Sequence, residues 1–344
     1  MKTIHIGLMA DPESPTEIAH RISDLRPSGG NGAHDWNIEV VSEPFTTGSE
    51  DVDIAVARLE EHAGRHGWDL VVGLTELPLR DDDGRYLLVE ADPQRRVAVL
   101  SLPALGGFRM HARARHAVHT LMRGMADSPA QDQRVPLRRG TDRARLLLGM
   151  VLANRPWLLV PGLKSALVAA LATGAVATIN STVWLLAGSL SWWRLTIATV
   201  VSIALVVAWL VIDGELRDRP EDDSAQARER SRLYNTSTLL TLTAGVLICY
   251  LALFLVNLVW VLFVLDPAVM GGYLQTNLGY GDLVVLAWFV ASAATVGGGL
   301  GTGLESDEAI RAAAYSKREE DRRTRLARKR TGREGTSSSQ RSRP

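Results

Sequence analysis

The chain has 344 residues, with 38 basic and 38 acidic side chains and 46% hydrophobic residues. A formal net charge of zero gives no reason to expect nucleic-acid binding by the molecule as a whole. The charge is sharply partitioned: residues 1–133 carry 21 acids and 13 bases (net −8), residues 134–164 one acid and seven bases (net +6), and residues 305–344 seven acids and twelve bases (net +5), with long apolar runs between the two basic zones. That pattern excludes a simple soluble enzyme and a fully disordered chain.

In chain order, Met1-Lys2 leads into a short apolar stretch, Thr3–Ala10, that ends at Asp11-Pro12. Too few apolar residues follow for a secretory signal, so the first domain is expected in the cytosol. Thr3–Ala10 reads as a strand. Ser14-Pro15-Thr16-Glu17 reads as a capping box opening a helix that runs to about Leu25. A glycine-rich loop spans 27–33, and Trp36–Val41 alternates as a strand. Val52–His66 is helical, and Asp69–Thr75 reads as a buried strand. Asp81-Asp82-Asp83-Gly84 marks a hairpin turn. Tyr86–Glu90 and Val97–Leu102 are two more strands, and Gly107–Ala126 is a helix. The order is βαβαβββα, an α/β domain over residues 1–133 with enough chain for its own core. The only cysteine, Cys249, lies in an apolar run, so no intrachain disulfide or cysteine-based zinc site can form.

The series Val72-Gly73-Leu74-Thr75-Glu76-Leu77-Pro78-Leu79, Leu87-Leu88-Val89-Glu90-Ala91 and Val97-Ala98-Val99-Leu100-Ser101-Leu102, followed by a histidine-bearing helix, resembles the archaemetzincin family of zinc peptidases. The resemblance covers residues 1–125 in pattern and 70–125 in detail. It implies a zincin-like fold in which the helix carries a His-Glu-x-x-His zinc motif. Here the helix reads Arg115-His116-Ala117-Val118-His119-Thr120. With His119 in the place of the second ligand, Arg115 stands where the first histidine belongs and His116 where the glutamate belongs. The resemblance therefore implies a domain that has lost peptidase chemistry and holds no cofactor. Zinc on His116 and His119, at i,i+3 on one helix and near His111, is the alternative. Glu90 or Asp92 would be the acidic group to complete such a site.

Residues 134–164 read as a basic linker. Four apolar runs of bilayer-spanning length follow, at about 165–188, 195–212, 238–265 and 283–304, an all-α bundle of four transmembrane helices. Arg and Lys crowd the flank before the first span, the 213–235 connection and the segment after the fourth span. The other two loops hold only Arg194. Both termini are therefore expected on the cytoplasmic side of a bacterial inner membrane, with basic flanks against anionic lipid headgroups. No span holds an internal Asp, Glu, Lys or Arg, which argues against ion-coupled transport. Asn180 and Asn257 are the membrane polar residues, expected to hydrogen-bond between helices. Gly297 with Gly301 and Gly299 with Gly303 have the small-xxx-small spacing of a helix-packing face. Thr276-Asn277-Leu278-Gly279-Tyr280-Gly281-Asp282 is similar to a potassium-channel filter, but only Asp266–Gln275 precede it, which is poor material for a pore helix. Residues 305–344 read as a basic helix and a disordered tail.

These features predict a polytopic membrane protein whose cytosolic domain serves interaction or scaffolding. Its partners would be lipid and either a second copy or another protein, with no nucleic acid. A divergent metal-dependent hydrolase and a small-ion channel or transporter are the alternatives.

Overall fold

Alternating side chains on parallel strands organise the first unit. In β1 (Thr3–Ala10), Ile4, Ile6, Leu8 and Ala10 enter one core, while Met9 enters another on the opposite face. β3 (Leu70–Thr75) and β6 (Val97–Ser101) divide in the same way. The computed structural model describes residues 3–26, 35–46, 50–127, 133–138, 140–214, 216–220 and 224–300. These fall into two compact units that divide in the chain between Ala153 and Asn154.

In the first unit, β2 (Asp35–Ser42), β1, β3 and β6 pair in that order, all parallel. β5 (Tyr86–Asp92) extends the sheet antiparallel to β6 and pairs in turn with β4 (Leu79–Arg80). Helices α1 (Ser14–Ile22) and α3 (Met110–Asp127) cover one face, where Ile18, Ile22, Val118 and Met122 are buried. Helix α2 (Val52–His66) covers the other, with Val56 and Leu59 on Val71, Val97 and Val99. A parallel sheet buried on both faces needs strands that are apolar along their length, and β3 and β6 are so up to their last residues, Thr75 and Ser101.

Two details differ from the sequence reading. The capping box at Ser14 does not form: the residue before the helix is Glu13, with φ of 76° and no side-chain cap. The Thr16 hydroxyl bonds instead to the Asp11 carbonyl and to Ser42, so the loop after β1 sets the helix start. The basic linker is also partly domain. Gln133–Pro136 form β7, antiparallel to β5, and the Arg134 guanidinium makes a two-pronged bond to Glu90 at 2.7 and 3.1 Å. Those bonds, with Asp53 and Asp81 nearby, hold the Arg134 pKa above its ordinary value. Helix α4 (Thr141–Ala153) then packs on the turn at Pro103–Leu105, where Gly149 meets the Pro103 carbonyl. Composition marked the stretch as basic. It could not show that a carboxylate on a strand edge would take up the first of its arginines.

The second unit is helical. After α5 (Leu159–Gly162), α6 (Lys164–Thr178) and α7 (Ser181–Ser189) occupy the expected first span, which is therefore not one continuous helix. Asn180 stands at the break and caps α7 by accepting the Thr182 N–H at 2.9 Å. The indole N–H of Trp184 donates to the Thr178 carbonyl at 2.7 Å, satisfying a group the break releases. Helices α8 (Trp192–Asp213), α9 (Ala225–Val264) and, after the short α10 (Pro267–Leu274), α11 (Tyr280–Leu300) are long and apolar enough to cross a membrane; α10 is not. Residues 141–178 add a fourth candidate if their bent helices are one broken span. Helices α8, α9 and α11, of 22, 40 and 21 residues, are about 33, 60 and 32 Å long at ~1.5 Å per residue. The apolar core of a bilayer is ~30 Å thick, so α9 extends well beyond it.

Candidate functional site

In a doubly wound sheet, ligands sit beyond the carboxyl ends of the strands where the winding reverses. Here α1 leads from β1 to β2 on one side, and α2 leads from β2 to β3 on the other, so the reversal lies between β1 and β3. Asp11 is the first residue past β1 at that point and is fully buried. Its Oδ2 accepts the Thr75 hydroxyl at 2.6 Å and the Thr46 hydroxyl at 3.2 Å, and its Oδ1 accepts the Phe45 N–H at 3.3 Å. Thr75 also accepts the Leu77 N–H at 3.0 Å, and the Ser101 hydroxyl donates to the Leu77 carbonyl at 2.8 Å. One carboxylate thus ties together the ends of β1, β3 and the segment after β2. Glu76, also buried, follows Thr75 in sequence. A carboxylate held by three protein donors works as a structural knot, since its lone pairs are already engaged by the strands it joins. Sequence reading passed over Asp11 as a strand end. The available signal was an acid placed directly between a buried strand and a helix start, the position where α/β sheets gather polar groups.

The expected metal ligands lie on α3, on the other side of the helix from its buried residues Ala114, Val118 and Met122 or at its margin. His116 is exposed, and His119 packs against the Trp36 ring at 5.7 Å between centroids. His111 lies 3.5 Å from an Arg21 guanidinium nitrogen. Arg115, in the place of the first family ligand, forms a 2.7 Å ion pair with Asp24. That hydrogen bond lowers the Asp24 pKa and raises that of Arg115. Glu90 is engaged by Arg134, and Asp92 accepts the N–H groups of Gln94 and Arg95 in its own turn. Among the described residues no three His, Cys, Asp or Glu side chains gather as a metal site.

In the helical unit, Asn257 is buried on α9 and donates to the Leu253 carbonyl of its own helix at 2.9 Å. Its amide fills the space over Gly174 of α6, where a Cβ would come within 2.3 Å of Oδ1. Asn180 is a cap, in contrast to the interhelical bond expected of it. The bonds between helices come from residues that were not singled out. Thr199 on α8 lies 3.2 Å from the Tyr250 hydroxyl of α9 and 3.0 Å from the Ser292 hydroxyl of α11, and it accepts the Trp288 indole N–H at 2.7 Å. Ser202 donates to the Ser292 carbonyl at 2.9 Å. Isolated hydroxyls barely lower the hydropathy of a run, so composition hides them.

Glycines of α11 do approach α6. A Cβ on Gly298 would meet the Ala166 carbonyl and Ala170 at 2.7 Å, and one on Gly297 would reach Thr173 at 3.6 Å. Gly301 and Gly303 lie outside the described residues, as does the side-chain environment of Gly299. The filter-like loop becomes the start of a helix: Tyr280 is the first residue of α11, and Asp282 accepts the Gly279 N–H at 2.8 Å. Carbonyls from Tyr280 onward therefore belong to a helical turn.

No family model, curated protein or solved structure matches the chain.

Proposed function

We propose that the chain is a polytopic protein of a bacterial inner membrane. It presents its N-terminal α/β domain at the cytoplasmic face for interaction or scaffolding, not for turnover. The carrying observation is the outward apolar surface of the helical unit. Of the most apolar stretch of α8, α9 and α11, only 28%, 33% and 44% is buried. Ile212, Val259 and Phe263 are 75%, 68% and 85% exposed. Helices in water turn such side chains inward, and contiguous apolar surface on this scale fits hydrocarbon. In the first domain the buried Asp11 carboxylate at the switch point is taken up by bonds that hold strands, which fits a structural use of that position.

Reporter fusions test the topology. Alkaline phosphatase should be active when fused after residue 190 or 275, and a fluorescent protein should mature when fused at residue 133, 219 or 344. Crossing by α6 and α7 in series gives about 36 Å of helix at ~1.5 Å per residue, enough to span. Chain ends reporting from opposite compartments, or a product that stays in solution without detergent, would refute the proposal.

A further inference from the structure

Beyond the general basic flanks, one built cationic cleft stands at the junction of α8 and α9. Arg217 and Arg219 from the connection and Arg228 and Arg232 from α9 line a cleft of about 460 Å³, together with Asp218, Pro220, Ser231 and Asn235. That volume lies within the ~300–1,000 Å³ of ligand clefts. The connection is pinned to the helix. Asn235 Oδ1 accepts the Asp218 N–H at 2.7 Å, and the Asn235 amide and Ser231 hydroxyl donate to the Asp218 carbonyl at 2.9 and 2.8 Å. The backbone between Arg217 and Arg219 is therefore fixed before any ligand arrives. Among the described residues, Arg217, Arg219 and Arg232 form no ion pair.

Position along the helices narrows the ligand. The exposed apolar surface of α8 ends at Ile212, five residues before Arg217. That of α9 starts at Leu239, seven residues after Arg232. Seven residues are about 10 Å of helix. A headgroup layer adds ~5–7 Å beyond the hydrocarbon, and an arginine stem reaches toward it. The connection over residues 213–232 holds seven acids and five arginines, net −2, so bulk attraction does not draw anions there. Capture would depend on local forks of guanidinium donors, which match phosphate oxygens in pairs.

We propose that this cleft binds a phosphate group, either that of an anionic phospholipid headgroup or free phosphate. Its depth argument rests on the membrane reading above, but its chemistry does not. The test uses the full chain in nanodiscs. Affinity is measured for phosphatidylglycerol added to phosphatidylcholine nanodiscs and, in a separate arm, for inorganic phosphate with phosphatidylcholine alone. Wild type should retain phosphatidylglycerol at least tenfold better than Arg217→Gln/Arg232→Gln. Arg58→Gln/Arg65→Gln, an equal charge change on α2, should stay within twofold of wild type. Phosphate binding lost in the same variant supports a free-ion ligand, whatever the topology fusions report. If neither probe binds wild type, or both double variants weaken binding equally, the cleft is not a phosphate site.

Discussion

Removing the Asp11 carboxylate should loosen the sheet where its strands converge. In Asp11→Ala, three buried donors lose their acceptor: the Phe45 N–H and the hydroxyls of Thr46 and Thr75. A hydrogen bond to a charged group contributes ~1.5–3 kcal/mol, and an orphaned buried donor costs ~1–3 kcal/mol. The two hydroxyls can rotate toward other acceptors, whereas the Phe45 amide cannot, so the losses do not add in full. We expect about 3–5 kcal/mol, a large part of the ~5–15 kcal/mol that holds a domain folded. Hydrogen exchange on the full chain, read by mass spectrometry, gives the value strand by strand. At ~1.4 kcal/mol per tenfold, a 3 kcal/mol loss raises exchange of the protected amides of β1 and β3 about 150-fold. Amides of α9 serve as the internal reference. Thr75→Val removes the shortest of the three bonds, and with it the acceptor of the Leu77 N–H, while keeping the side-chain shape. Combined with Asp11→Ala it should show a coupling of ~1–2 kcal/mol, because one bond is counted in both single changes. Less than a fivefold change in exchange for Asp11→Ala, or additivity in the double variant, would show that Asp11 is not what joins these strands.

Two packing predictions follow from close approaches. A Cβ on Gly7 would lie 2.0–2.5 Å from ring atoms of Trp68, whose indole also donates to Glu39 at 2.7 Å and stacks on His66. Gly7→Ala should therefore displace the ring and lower stability by ~1–3 kcal/mol, seen as faster exchange in β1, β2 and β3; an unchanged pattern would mean the ring yields without loss. In a Cys249→Ala background, Thr173→Cys and Gly297→Cys should cross-link under mild oxidation, since a Cβ at 297 reaches the Thr173 side chain. Adding Gly298→Val should reduce that cross-link several-fold by pushing α11 off Ala166 and Ala170, and equal yields would contradict the packing described.

The first domain was legible as α/β because its strands are short apolar runs and its helices carry period-3.6 faces, as in Ile18 and Ile22. The sheet order was not legible, because register and neighbours are set by which faces meet after the chain has crossed over. β4 and β7 escaped notice for a related reason. Leu79–Arg80 is two residues long, and Gln133–Pro136 is four residues long and exposed throughout, so neither carries an apolar signature. β7 exists through backbone pairing and one arginine–glutamate fork. In the helical unit, length and composition located the apolar helices. They gave no hint that Asn180 would end one helix and cap the next, since a single asparagine can serve as a cap or as an interhelical bond with the same local sequence.

The two units face the same physical problem and, on the membrane reading proposed above, do so in different solvents. In the α/β unit apolar burial drives assembly, yet burial alone does not fix which strand end meets which; the Asp11 carboxylate does so by accepting donors from two other segments. In the helical unit, if hydrocarbon surrounds it, apolar side chains gain little by leaving lipid for a neighbouring helix. Register must then come from close backbone approach and polar bonds. Gly174 and Gly298 supply the approach to α6, while Thr199, Tyr250, Trp288 and Ser292 join α8, α9 and α11. None of those four carries a formal charge, so the bonds hold without the large desolvation cost of an ion in lipid. Among the described residues the bundle is fixed by hydroxyls and an indole with no buried ion, which suits the anchoring role proposed for it. The Asp218 connection is bonded to this framework through Asn235, and the four arginines around it carry the phosphate site proposed above.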